Sequence, residues 1–219
     1  MSTDLHLVMA NKAYSSWSVR PWLAMKANGL AFTETVICLG QDATSAEIKR
    51  HAPNGKCPIL KHGKVVVWES IAILDYLADT FPDRPWWPKD PAAKAHARAI
   101  SAEMHAGFQT LRQNMPMNVR KSYPGRGRAP GIENDFARIF DIWRDARARF
   151  GAGGPFLFGA FSNADAMYAP VVARFKTYGV DLDPVCQAYS DAILAHPAAV
   201  QWYAEAAAEP WVIAKYEME

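Results

Sequence analysis

The chain has 219 residues, half of them hydrophobic and 21% charged, which excludes a disordered polymer and leaves enough length to bury a sizeable core. A formal charge of +2 gives no ground for a nucleic-acid binder or a protein held on an anionic membrane, so neither partner is expected. Cys38, Cys57 and Cys186 stand far apart without a CxxC pair, so no disulfide framework and no structural zinc is expected either.

The opening MSTDLHLV lacks the basic segment and long apolar stretch of a signal peptide, and no apolar run nears the roughly 20 residues of a membrane span. A cytoplasmic protein is the expectation. Residues 5–9 (LHLVM) and 33–38 (TETVIC) are rich in strand formers and flank a helix that stops at Asn28 and Gly29, a left-handed C-terminal signal. That is a βαβ unit. Thr44 and Glu47 have capping-box spacing for a short helix reaching about His51, and "APNGKCPILKHGKVVVW" then reads as a hairpin turning at His62-Gly63. From Ser70, apolar Ile71, Leu74, Leu77 or Ala78, and Phe81 recur at helical spacing until "FPDRPWWPKDP" interrupts them. The alanine-rich remainder is helical in period, broken at 123–131, 150–155 and 181–184, so four or more helices follow. The expected organisation is an α/β domain over 1–81, a proline-rich linker over 82–91 and an all-helical domain over 92–219, with a ligand cleft between them.

Chemistry enters first through "AYSSWSVRPW". Pro21 lacks an N–H and fits the first helical turn, so counting back makes Ser18 the cap. Ser15 and Ser16 then lie in the turn before the helix, where hydroxyls either finish the turn or face an anion at the positive helix end. In "KCPI", Pro58 opens a strand as an edge residue or as a cis bond that frees the backbone of Cys57 for an extended peptide; Cys57 itself is a packing residue or a nucleophile. Glu69 and Ser70, between a strand and a helix, form either a plain cap or a corner suited to an amino-acid head group. The sequence contains no Walker loop, GxGxxG, GxSxG elbow or HExxH, and its six histidines show no i, i+4 pair, so no metal is expected.

Taken in order, the serine-bearing first turn, "CP", "ES", the proline-rich linker and "FSNADAMYAP" resemble the soluble glutathione transferase family over essentially the whole chain. "SSWSVR" is similar to the zeta-type signature S-S-x-S-x-R, with Trp17 where a cysteine is common and Glu69 where a glutamine is usual. The resemblance implies a thioredoxin-like α/β domain followed by an all-α domain, with glutathione as co-substrate. It implies Ser15 as the catalytic hydroxyl, with Ser16 and Arg20 as its neighbours in the catalytic group and Trp17 lining the thiol site. It further implies backbone pairing of glutathione at Cys57 beside Lys56, a cis Pro58, and the γ-glutamyl end held by Glu69 and Ser70. "AGFQTLRQNM" resembles the zeta helix that lines the site, which makes Gln109 a glutathione contact and Arg112, Gln113 and Asn114 contacts for the second substrate. Ser162 and Asp165 form the S-x-x-D box that starts a buried helix in this family. A homodimer is implied as well.

The expected activity is conjugation of glutathione to a small electrophile, or its transient use to isomerise an unsaturated acid. A thiol has a reference pKa of about 8.5, so donation from a serine and a helix terminus to sulfur makes more of it thiolate. Two alternatives differ in class: a non-catalytic binding protein of the stringent-starvation type, and a thiol reductase using Cys57. The basic run Arg120–Arg128 reads as a solvated loop, or as a lure for an anionic electrophile. Trp86 and Trp87 in the linker, and Trp143, Trp202 and Trp211 among helical residues, read as packing between the domains.

Overall fold

The computed structural model describes residues 4–218; residues 1–3 and 219, the outer ends of the two expected domains, lie outside the described residues. Strand β1 (Leu5–Ala10) leads through α1 (Val19–Ala27) to β2 (Thr33–Ile37), followed by α2 (Thr44–Lys49), β3 (Ile59–His62), β4 (Val65–Trp68) and α3 (Ser70–Thr80). The sheet order is β2-β1-β3-β4, with β1 and β2 parallel and the other pairs antiparallel. Helix α1 is the crossover that a parallel pair requires. It ends as expected, with Gly29 at φ +63 after Asn28.

Two capping expectations are corrected. Ser18 occupies the N-cap position of α1, but its backbone is already helical and its hydroxyl points back to the strand, accepting from Ala10 N–H at 3.0 Å. Thr44 is the first residue of α2, not its cap; its hydroxyl donates to Cys38 O at 2.7 Å, so no box with Glu47 forms, and the helix stops at Lys49, before His51. Ile73, fully buried on α3 with Leu74 and Leu77, was passed over by the periodic reading, which took half-buried Ile71 in its place.

Residues 81–90 contain no helix or strand, and Trp86 and Trp87 within them are buried, Trp86 Nε1 donating to Phe81 O at 2.8 Å. Helices α4 (Pro91–Ala106), α5 (Gln109–Asn114), α6 (Ile132–Phe150), α7 (Asn163–Tyr178), α8 (Pro184–Ala195) and α9 (Pro197–Ala208) follow, then a short 3₁₀ turn at Ala214–Tyr216. Asp90 caps α4 and Asp183 caps α8, each with proline as the first helical residue. The Ser162/Asp165 box forms at the start of α7. That helix is buried nearly all round, as the central member of a bundle must be. Trp143 lies buried inside the bundle, whereas Trp211 sits beyond α9, outside any helix and partly exposed.

One continuous core joins sheet and bundle, with Leu5, Leu7 and Met9 in the same cluster as Trp143, Tyr168 and Phe175. Trp22 of α1 meets Trp202 of α9 edge-on at 5.1 Å, and Lys12 lies over both rings while pairing with Glu34 and Glu205. No helix among the described residues is long and apolar enough to cross a membrane. No cluster of three His, Cys, Asp or Glu suited to a metal forms among them.

Candidate functional site

The β1–α1 connection is tucked inside the molecule, which brings the serines to the seam between sheet and helices. Ser15 Oγ accepts from Ser18 N–H at 3.3 Å, and the two hydroxyls share a 2.8 Å hydrogen bond. Their surplus therefore forms a short chain centred on Ser18 Oγ, which accepts from Ala10 N–H and from the Ser15 hydroxyl. Ser16 is also buried, and among the described residues its hydroxyl has no hydrogen-bond partner.

Two clefts meet at Trp17. The first, about 300 Å³, is lined by Trp17, Asn54, Lys56, Cys57, Pro58, Glu69, Ser70 and His105. The Cys57–Pro58 bond is cis, as the resemblance implied. Glu69 adopts φ +68, a left-handed backbone that a non-glycine residue adopts uncommonly. It turns the start of α3 toward the cleft, and Ser70, 1% exposed, has a buried hydroxyl without a partner among the described residues. An orphaned hydroxyl beside free helix N–H groups fits a ligand carboxylate. The Glu69 carboxylate lies 3.6 Å from His105 Nε2. Burial, with Arg20 nearby, holds the His105 imidazole below its usual range, Glu69 pulling the other way.

The second cleft, about 310 Å³, contains Ser15, Ser16 and Trp17 together with Tyr14, Leu39, Arg112, Gln113, Pro116, Met117, Arg174 and Tyr216. Among the described residues its lining carries two guanidinium groups, of Arg112 and Arg174, and no carboxylate. Arg174, 3% exposed, donates Nε to Met115 O at 2.8 Å and Nη1 to Pro170 O at 3.2 Å. Burial, then the like charge of Arg112, lowers its pKa to about 10, still cationic near neutrality. Arg112 donates to His105 O at 3.0 Å and lies over Trp17 at 5.1 Å. Arg20 covers the same indole at 4.1 Å, so Trp17 is held by two cations.

Not every expected residue reaches a cleft. Arg20 lines neither: it donates Nε to Met167 O at 3.2 Å and supports Trp17, while its other two nitrogens are buried without partners among the described residues. Gln109 is exposed and lines neither cleft, and Asn114 turns its amide back to Thr110 O at 2.8 Å within α5. Burial pushes the Cys57 thiol up to about 12, with Glu47 adding to the effect. In the basic run, Arg120 is not a free lure, because it binds Tyr14 Oη, Glu209 O and Trp211 O; Arg128 pairs with Glu133. His105, Asn54, Tyr14, Arg174 and Tyr216 were missed by sequence reasoning. Arg174 carried the one usable hint, a cation among the apolar residues of "PVVARF".

Residues 14–80 match the family profile "Glutathione S-transferase, N-terminal domain", and residues 127–205 match "Glutathione S-transferase, C-terminal domain". The chain is 31% identical to maleylacetoacetate isomerase of Rattus norvegicus over 176 residues, 77% of each chain. It is 43% identical to a probable maleylacetoacetate isomerase of Caenorhabditis elegans over 96 residues, 44% of each. Among solved structures, a holo maleyl pyruvate isomerase described as a bacterial zeta-class glutathione S-transferase superposes with a TM-score of 0.70 at 22% identity, covering 94% of this chain and 98% of that one. A glutathione transferase homologue from Burkholderia, with bound glutathione, gives 0.70 at 19% identity, covering 93% and 98%.

Proposed function

The chain belongs to the glutathione S-transferase family, and on that premise we propose that it activates the glutathione thiol for attack on a small anionic electrophile, by conjugation or by cis–trans isomerisation of an unsaturated acid. One observation carries this reading: the peptide-binding corner of Cys57, Glu69 and Ser70 and the hydroxyls of Ser15 and Ser16 lie on the two sides of a single residue, Trp17. In this assignment residues 1–81 hold glutathione, 82–91 connect, and 92–219 supply the cationic wall.

The γ-glutamyl carboxylate docks on the Ser70 hydroxyl and the first N–H groups of α3, its ammonium near Glu69, with Asn54 and Lys56 beside the cleft. The cysteinyl backbone pairs at Cys57, and its sulfur passes Trp17 to Ser15. A hydroxyl rotates freely, so Ser18 turns its hydrogen onto Ser15 while Ser15 donates to sulfur. Ala10 N–H, Ser18, Ser15 and thiolate then form one polarised chain. A hydrogen bond to a charged group contributes about 1.5–3 kcal/mol and a helix terminus about 0.3–1, which lowers the thiol pKa by roughly one to three units. The thiolate forms a C–S bond to the electrophile, whose carboxylate rests on Arg112 and Arg174. A saturated substrate loses its leaving group with the bonding pair. In an unsaturated keto acid the π electrons move onto the carbonyl, the former double bond rotates, and their return expels glutathione unchanged.

The stringent-starvation-type reading leaves Ser70 and the serine chain without a purpose. The reductase reading needs a nucleophile that burial keeps protonated at Cys57. We also assign the β4 edge to a second copy of the chain: β4 is one of the two outer strands, and Val65, Val66 and Trp68 are exposed on it. Sedimentation at rising concentration reads that contact, and a monomer throughout contradicts it. For the activity, calorimetric titration with glutathione is expected to show one site, with turnover of an unsaturated acid that depends on added glutathione; absence of both overturns the reading.

A further inference from the structure

The family's C-terminal profile stops at residue 205, yet the segment that follows is fastened to the loop bearing Ser15. The Glu209 carboxylate accepts from Lys12 N–H at 2.7 Å and Ala13 N–H at 3.0 Å. Glu217 accepts from the Tyr14 hydroxyl at 2.6 Å, and from Asn118 Nδ2 and the Tyr123 hydroxyl at 3.1 Å each. Arg120 ties the backbone between them, donating to Glu209 O at 2.9 Å and Trp211 O at 2.7 Å. Ile213 is buried against Ala13 and Tyr14.

Ordering such a stretch costs chain entropy, which these contacts to the Lys12–Tyr14 loop and to Asn118 and Tyr123 offset. Tyr216 lies 5.7 Å from the Tyr14 ring, its carbonyl accepts from Asn118 at 3.2 Å, and its side chain lines the second cleft with Arg112 and Arg174. Its hydroxyl has no hydrogen-bond partner among the described residues, so the ring is what it offers. The cleft thus has a cationic end for a carboxylate, with the Tyr216 ring, Pro116 and Met117 as apolar walls around whatever the carboxylate carries.

We propose that Tyr216 is a specificity-determining residue that limits the body of the acid accepted, and that Glu217 is the positioning residue that holds it in the wall. The inference rests on the reading of this cleft as the electrophile's. It predicts preference for acids with a short or flat body over those with a long alkyl chain.

The test uses the full chain, glutathione and a series of 2-bromoalkanoates from acetate to hexanoate. The thiolate forms C–S as C–Br breaks, and bromide leaves with the electron pair. Tyr216→Ala is expected to shift the kcat/KM ratio of hexanoate to acetate toward hexanoate by roughly tenfold, with the KM for glutathione within twofold of the parent. Tyr216→Phe, which keeps the ring, is expected to retain the parent ratio, and Glu217→Ala to shift it in the same direction as Tyr216→Ala. An unchanged ratio in a folded Tyr216→Ala protein overturns the inference, as does a glutathione KM that moves as far as the ratio. If Glu217→Ala fails to fold, the Tyr216 pair decides the question. Calorimetric glutathione binding to the parent separates the two failures: a parent that binds no glutathione overturns the proposed function, and this inference with it.

Discussion

The two clefts on either side of Trp17 are built by different means. The cleft proposed for glutathione draws most of its lining from short local devices: a strand-opening proline at 58, a left-handed residue at 69, and a helix start at Ser70. The cleft proposed for the electrophile gathers Ser15, Leu39, Arg112, Arg174 and Tyr216 from widely separated parts of the chain. The first cleft is thus made largely of backbone geometry, while the second is made of side chains that only packing brings together. On this division, substitutions on the first side should alter glutathione affinity and those on the second side the choice of electrophile.

The largest expected effect falls where the two clefts meet. Ser15→Ala removes the donor to sulfur and is expected to lower kcat by about 10- to 100-fold while calorimetry finds glutathione binding intact. On the glutathione side alone, Ser70→Ala should raise the glutathione KM by about tenfold, the loss of one charge-assisted hydrogen bond, without altering the order of preference among electrophiles. Steady-state kinetics with each substrate varied in turn separates these two outcomes. On the electrophile side alone, Arg112→Gln should lower the preference for acidic over neutral electrophiles by about fivefold, because this cation is only half-buried and partly screened. That preference should also weaken with salt in the parent and less so in the variant. A similar loss for neutral substrates would erase the distinction between the clefts.

The smallest effect is expected at Cys57. Its folded pKa is raised, so the thiol stays protonated, and unreactive, through neutral pH and ionises only as pH climbs toward about 12. Cys57→Ser should leave turnover within about twofold, and alkylation of Cys57 by iodoacetamide should be slow at pH 7 and rise steeply above pH 10. Rapid modification at pH 7 contradicts the burial argument.

How far the sequence could be read follows the same division. The βαβ unit, the hairpin, the Asn28-Gly29 stop and the Ser162/Asp165 box announce themselves within a few residues, because each is a local solution to a backbone problem. At Cys57-Pro58 and Glu69-Ser70 the local signals left two readings each, and it was the family resemblance that implied the cis bond the structure contains. Spacing misled at Thr44 and Ser18: both hydroxyls are the right type in the right place, but each is claimed by a backbone partner outside its helix, Cys38 O and Ala10 N–H. Tyr216 could not be found from neighbours in the chain, and for Arg174 they gave no more than a hint. A cation inside "PVVARF" and a tyrosine beyond α9 acquire meaning only once α7 and the segment after α9 pack against the serine loop. Gln109 and Asn114 fail in the converse way, sharing a short helix with Arg112 while facing elsewhere.

Ultraviolet titration of the thiolate in the glutathione complex, for the parent and for Ser15→Ala, tests the serine chain most directly. The parent should ionise roughly one to three units below the free thiol's pKa of about 8.5, and the variant should recover most of that difference. A bound thiol that ionises at the free value in the parent, or equally low in both proteins, contradicts the account.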